Sequence, residues 1–248
     1  MTADNDRTTD PARLRPGLSI LIPAYNEQEL LAVSVAQIRA AAAEAAEDFE
    51  LVIVNDGSGD RTGEILDGLA AADSHIRALH HEQNRGIGGG ITTAGRHARC
   101  DRAIICPVDS PLSAAQLRAF LAASGPDTIV VGYRPRRLGY RGWQHVGSGV
   151  YHALACALLG LRLRDVNWIH LYPTRLFSEL HIEFGGIVYL AEVLAKAKRL
   201  GYRFVEIESP MAARITGVAT ISKPRTIWRT FWDLWRLWWR LTTASCRR

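Results

Sequence analysis

Two stretches decide the fold: Ser19-Ile-Leu-Ile-Pro-Ala-Tyr-Asn-Glu27 and Leu51-Val-Ile-Val-Asn-Asp-Gly-Ser-Gly-Asp-Arg-Thr62. Each begins as a short, unbroken apolar run, the pattern of a strand buried on both faces. Each then turns abruptly polar and leads into a helix-forming segment. The first strand is expected over Leu18–Ile22, closed by Pro23, and the Ala-rich, Gly- and Pro-free segment Glu27–Ala46 reads as a helix. The second pair is Leu51–Val54 and Asp60–Ala72.

The same alternation continues along the chain. Strands are expected at Ile76–Leu79, Arg102–Cys106, Thr128–Val131 and Arg203–Ile207. Helices are expected at Thr92–Arg99, after a glycine-rich loop, and at Ala114–Ala123, Val150–Leu159 and Val188–Leu200. Gly132–Gly149 reads as a long loop and Asp165–Pro173 as irregular. Strand–helix alternation of this kind predicts an α/β fold, Rossmann-like, with a mostly parallel sheet flanked by helices.

The composition agrees with a packed domain. Of 248 residues, 48% are hydrophobic and 22% charged, which excludes wholesale disorder. No run approaches the ~20 apolar residues that a membrane-spanning helix needs. The polar segment 1–17 reads as a disordered arm without the apolar run of a secretory signal. Cys100, Cys106, Cys156 and Cys246 form no CxxC and join no histidine cluster, so reduced thiols in a cytoplasmic protein are expected.

The net charge of +5 lies wholly in the tail. Arg225 to Arg248 holds six Arg against one Asp, so the residues before it sum to zero. That distribution does not suit a nucleic-acid-binding face. Five of the seven Trp also lie there, at 228, 232, 235, 238 and 239. Residues 224–248 are expected to form an amphipathic helix. Arg225, Arg229, Asp233, Arg236 and Arg240 would share one face; Ile227, Phe231, Leu234, Trp235, Trp238 and Leu241 would lie opposite, with Trp228, Trp232 and Trp239 at the edges. Rings at headgroup depth and guanidiniums among lipid phosphates suit a helix lying in a membrane interface through residues 224–242. Packing on the globule and a homodimer seam are the alternatives.

In an open parallel sheet, ligands bind beyond the carboxyl ends of the strands. Three polar clusters fall there: Pro23–Glu27, Asn55–Ser58 and Pro107–Ser110. Tyr25 could stack on a base or bond to it. Asp56 could accept from a base imide or a ribose hydroxyl, and Asp109 could hold a hard divalent cation. Plain turn chemistry is the competing reading for any one cluster. Gly86–Gly90 does not match GxGxxG and reads as a place of close backbone approach. His80-His81 has no third metal ligand nearby and reads as structural. His145 and His170 are read either as phosphate contacts or as structural groups.

The segments SILIPAYNE, LVIVNDGSGDRT, NRGIGGG and PVDS together resemble the inverting glycosyltransferases of family two, which have the GT-A fold. The nearest branch is that of the polyprenol-phosphate sugar synthases, which includes the dolichol-phosphate mannose synthases. The resemblance runs from about Ser19 to Ile221. VVGYRPRR, LLGLRLRDV and EIESPMAARITG resemble later segments of that branch. It implies a catalytic domain over 18–223 and a peripheral enzyme on the cytoplasmic face of the membrane. Its donor would be a GDP- or UDP-linked sugar and its acceptor a polyprenyl or dolichyl phosphate.

By position, the resemblance puts Pro23, Tyr25 and Glu27 in the nucleotide pocket and Asp56 on the base or ribose. Asp109 would bind Mg²⁺ or Mn²⁺ beside the diphosphate. Arg134 would bind phosphate near the acceptor, joined by Arg137, Arg141 and Ser148. Glu192 and Glu206 match acidic positions, Glu206 pairing with Arg214.

The chain departs from the pattern in places. Pro107 stands where the family has the first Asp of Asp-x-Asp, and Pro111 where it has Gln. Asn55-Asp56 replaces an acidic pair, and Trp168-Ile169-His170-Leu171 replaces a Ser/Cys-Gly-Phe-Lys/Arg segment. A lipid monophosphate is already anionic and needs no general base, so arginines that hold it could suffice. A soluble hydroxyl acceptor and a catalytically silent scaffold are the other readings.

Overall fold

The computed structural model describes residues 13–135, 142–210 and 224–245. Its core is a sheet of seven strands among these residues. They are β1 (Arg15–Ala24), β2 (Phe49–Asn55), β3 (Ile76–His80), β4 (Cys100–Ile105), β5 (Thr128–Tyr133), β6 (His170–Pro173) and β7 (Arg203–Glu208), in the order β3-β2-β1-β4-β6-β5-β7. Only β6 runs antiparallel to its neighbours, pairing Ile104 with Leu171 on one side and Val130 with Leu171 on the other.

The pleat divides the core. Leu18, Ile20 and Ile22 face the layer of α1 (Leu31–Ala45), α2 (Thr62–Ala72) and α4 (Ala114–Ala122). Leu21, Val52 and Val131 face the other layer, made of α3 (Gly86–His97), α5 (Gly142–Leu159), α6 (Leu176–Glu179), α7 (Val188–Arg199) and α8 (Pro224–Ser245). The result is the expected three-layer α/β arrangement. Ser113 starts α4 with a reciprocal cap: its hydroxyl accepts from the Gln116 N–H, and the Gln116 side chain accepts from the Ser113 N–H.

Four local expectations are corrected. First, β1 begins at Arg15, inside the segment read as an arm, with a bulge between Arg15 and Leu18. Gly17 lies there at φ +152°, and a Cβ would meet the Asp48 carbonyl oxygen at 2.7 Å.

Second, α3 starts at Gly86 rather than Thr92. Its glycines disfavour a helix by propensity, yet they allow contact that a side chain would block. A Cβ at Gly88 would lie 2.5 Å from the Tyr189 ring, and one at Gly95 would lie 2.4 Å from the Phe177 ring. Third, the stretch read as irregular contains β6, too short at four residues to show a period. Fourth, the long loop closes earlier, because α5 begins at Gly142.

Candidate active site

Strand register builds the site. Ala24 pairs with Asn55, and the Cys106 N–H donates to the Leu21 carbonyl at 3.0 Å. The carboxyl ends of β2, β1 and β4 are therefore neighbours, and the three polar clusters extend from one edge of the sheet. Tyr25 and Glu27 follow β1, Asp56 follows β2 and Asp109 follows β4.

Side chains lock the first two clusters together. The Asn26 N–H donates to Ser58 Oγ at 2.9 Å, and the Gly59 N–H donates to Asn26 Oδ1 at 2.9 Å. The Glu27 N–H donates to Thr62 Oγ1 at 2.9 Å, and the Arg61 N–H to Gln28 Oε1 at 3.1 Å. Asn26 adopts φ +55°, a left-handed conformation that Asn tolerates better than most residues. The polar residues of both motifs thus shape the edge, beyond any contact with a ligand.

Tyr25 is about half exposed at the mouth. The Glu27 carboxyl is pushed above the usual range by burial first, then by the negative charges of Asp109 and Asp60. That coupling puts Glu27 and Asp109 in one electrostatic neighbourhood.

Asp56 is buried, and two donors meet its Oδ1: His81 Nδ1 at 2.6 Å and the Arg85 N–H at 2.9 Å. His81 Nε2 lies 2.9 Å from Thr93 Oγ1 on α3. The sequence reading gave His81 a structural role only. Its contact with Asp56 joins residues 25 positions apart, across the β2–β3 crossover, so no local pattern reveals it.

Arg134, expected at the acceptor phosphate, is buried in an ion pair. Its Nε donates to Asp165 Oδ2 at 2.8 Å, and its Nη2 donates to Asp165 Oδ1 at 3.2 Å and to the Asn167 carbonyl at 3.1 Å. The guanidinium also lies 4.7 Å from the Trp168 ring centre. The replaced Trp168 segment thus forms part of the Arg134 socket.

Ser148 lies on α5, partly buried. Arg137, Arg141 and Arg214 lie outside the described residues. Glu206 accepts from the Arg164 N–H at 2.6 Å. Buried Glu192 accepts from the Glu183 and Phe184 N–H groups and from Lys196 Nζ, 2.6 Å away. His170 is fully buried against the Tyr172 hydroxyl at 2.8 Å, and burial pushes its pKa down to about 4, the structural one of its two readings. Cys100, Cys106 and Cys156 are free thiols; burial pushes Cys106 up to about 12, so it is a packing group and not a nucleophile.

The tail helix uses two faces. Leu234, Leu237 and Leu241 are buried in the core shared with α5 and α7. Trp228, Trp232, Trp235 and Trp239 are 48–78% exposed. Their 4-3-4 spacing puts them on one face, so Trp235 groups with the exposed Trp228, Trp232 and Trp239 and not with Leu234 and Leu241, its expected companions opposite the arginines. Arg229, Arg236 and Arg240 line a groove of about 1200 Å³ between α8, Asn84–Gly86 and Glu183–Val188, where Arg240 pairs with Glu183.

Residues fitting a divalent cation are few. Among the described residues no three His, Cys, Asp or Glu side chains cluster as metal ligands. A hard cation such as Mg²⁺ is commonly held by one or two carboxylates plus substrate phosphates. Asp109 beside Glu27 fits that diphosphate-completed kind of site and does not fit an all-protein cage.

Comparison with known proteins agrees with this geometry. The chain is 29% identical over 244 residues to the glycosyltransferase AglD of Haloferax volcanii, covering 91% of this chain but only 37% of that protein. It is 26% identical over 226 residues to an undecaprenyl-phosphate mannosyltransferase of Micrococcus luteus, covering 83% of this chain and 91% of that one. It is also 26% identical over 229 residues to the polyprenol monophosphomannose synthase of Mycolicibacterium smegmatis, covering 86% and 84%.

Among solved structures, the mannosyltransferase PcManGT of Pyrobaculum calidifontis, in complex with GDP-Man and Mn²⁺, superposes with a TM-score of 0.59 at 17% identity, over 89% of this chain and 61% of that one. Glucosyl-3-phosphoglycerate synthase of Mycobacterium tuberculosis, with Mn²⁺, UDP and phosphoglyceric acid, gives 0.64 at 18%, over 88% and 78%. These structures share the GT-A fold with this chain. Residues 19–158, more than half the chain, match the family described as glycosyl transferase family 2, and the protein belongs to that family of glycosyltransferases.

Proposed function

We propose that this glycosyltransferase moves a sugar from a GDP- or UDP-linked donor to a polyprenyl or dolichyl phosphate at a membrane surface, with inversion. The observation that carries the reading is the shared carboxyl edge of β1, β2 and β4. There Glu27 feels the charge of Asp109, and the buried Asp56 follows the adjacent strand β2. Relatives named for polyprenyl-phosphate sugar transfer align over most of this chain.

Tyr25 and Pro23 flank the nucleotide, and Asp56 accepts from its base or ribose. Asp109 would hold Mg²⁺ or Mn²⁺, which neutralises charge on the departing diphosphate when bound. One acceptor phosphate oxygen attacks the anomeric carbon as the bond to the nucleoside diphosphate breaks. No proton needs to be removed from an already ionised phosphate. Arg134, fixed by Asp165 and Trp168, orders the acceptor side, with Arg137, Arg141 and Ser148 as further acceptor contacts.

Among the described residues no helix is long and apolar enough to cross a membrane. The exposed tryptophans of α8, with arginines beside them, suit peripheral attachment over 224–242 on the cytoplasmic face, and this supports a lipid acceptor. The test incubates purified protein with GDP- and UDP-sugars, Mg²⁺ or Mn²⁺ and a short polyprenyl phosphate. A lipid-linked sugar is expected. Transfer only to a soluble hydroxyl, or no nucleotide-sugar affinity by calorimetry, rejects the reading in favour of another acceptor or a silent scaffold.

A further inference from the structure

The His81 ring occupies an unusual place for a residue outside the sequence motifs. Its backbone N–H donates to the Asn55 carbonyl at 2.9 Å, extending the ladder of β2 by one bond. Its ring lies between Thr93 on α3 and Asp56, and the ring and the carboxylate are nearly sealed from solvent, each 3–4% exposed. Among the described residues, both hydrogen bonds to Asp56 fall on Oδ1. The other oxygen is therefore the one through which Asp56 can accept from a ligand. A free carboxylate rotates about its Cβ–Cγ bond; one held at Oδ1 by two donors from the β3–α3 loop does not.

We infer that His81 is a positioning residue for the donor base: it locks the Asp56 carboxylate so that Oδ2 accepts from an N–H of the base, and Thr93 sets the ring that does so. The inference rests on the glycosyltransferase reading of Asp56. The Asp56 carboxylate only accepts, so it requires the proton on Nδ1, and the Thr93 hydroxyl, which can donate or accept, complements Nε2. The logic matches the outer groups that orient a metal-binding or catalytic side chain.

A carboxylate fixed as a pure acceptor favours bases with an N–H on the pairing edge, as uracil N3–H and guanine N1–H. Cytosine offers such a carboxylate only its exocyclic N4 amine, because its ring N3 accepts.

Two substitutions separate positioning from bulk packing. His81→Asn keeps a donor near the Nδ1 position, while His81→Gln keeps one near Nε2, toward Thr93 and away from Asp56. Calorimetry with GDP and UDP, each with Mg²⁺, and steady-state kinetics with the preferred nucleotide sugar are measured on the full chain.

Wild type and His81→Asn are expected to bind within about threefold of each other. His81→Gln is expected to weaken binding and raise KM about ten- to thirtyfold, with kcat changed less than threefold, as befits a lost charge-assisted hydrogen bond. In an Asp56→Asn background, His81→Gln should add no further loss.

Should His81→Gln fail to fold by its thermal melt, Thr93→Val reads the same relay and is expected to raise KM two- to fivefold. Equal KM values for wild type and the folded variants overturn the positioning role while leaving the glycosyltransferase reading intact. Absence of nucleotide binding by wild type overturns both.

Discussion

Arg134 and Asp165 form a buried ion pair, with Nε 2.8 Å from Oδ2 and both side chains at most 4% exposed. It ties the end of β5 to the segment that leads into β6, 31 residues later. Removing one member leaves the other charge buried and unpaired, which typically costs about 3–5 kcal/mol. Asp165→Ala should therefore lower Tm by roughly 6–20 °C by differential scanning calorimetry. The double variant Arg134→Met with Asp165→Leu should recover much of that loss. A single-variant drop of only a degree would show that the pair contributes little.

Glu27 gives the pH dependence its sign. Its folded pKa lies above the unfolded value of 4.5, so the folded protein keeps a proton that the unfolded chain has released. Stability contributed by this group is complete below pH 4.5 and falls as pH rises through the raised value. Glu27→Gln should raise Tm at pH 7.5 by a few degrees while weakening metal-dependent nucleotide binding. The Tm difference should vanish near pH 4. An unchanged melt at pH 7.5 would contradict a Glu27 pKa raised by burial and by the charges of Asp109 and Asp60.

Gly95 tests the packing of α3. Alanine is the better helix former by about 1 kcal/mol, so a free helix would be stabilised by the change. Here the new methyl would meet the Phe177 ring at 2.4 Å. Gly95→Ala should destabilise by about 1–3 kcal/mol in urea unfolding, as overpacked cores do. Stabilisation would show that the ring moves aside freely.

The two faces of α8 should respond oppositely. Trp232→Ser with Trp235→Ser removes exposed rings and should abolish sedimentation with anionic vesicles while leaving Tm within about 2 °C, since surface changes rarely exceed ~0.5 kcal/mol each. Leu237→Ala removes a side chain that is 1% exposed and should cost about 2–5 kcal/mol. Vesicle binding retained by the double Trp variant would rule out that face as the lipid contact.

Much of the architecture was legible in local pattern. Apolar runs at Leu18–Ile22 and Leu51–Val54 marked buried parallel strands because no alternation interrupts them. The polar clusters after these runs and after β4 made Tyr25, Asp56 and Asp109 candidates, because parallel topology brings strand ends to one edge, whereas Glu27 was legible only through the family resemblance. The β6 strand was not legible: four residues ending in Pro173 carry no period, and only the gap between β4 and β5 makes them a strand. The helix over Gly86–Gly90 was hidden too, since its glycines answer to Tyr189 and Pro23 on other elements and not to helix propensity.

By itself, then, the chain determined the alternation of its elements, the family motifs and the two-sided character of the tail, all of which depend on neighbours within a few residues. Tertiary structure alone decided that Asp165 and Trp168 enclose Arg134, that His81 holds Asp56, and that Trp235 points away from the core. Those outcomes depend on side chains brought together across strand crossovers, where contact energies set by burial and charge have no signature in sequence spacing.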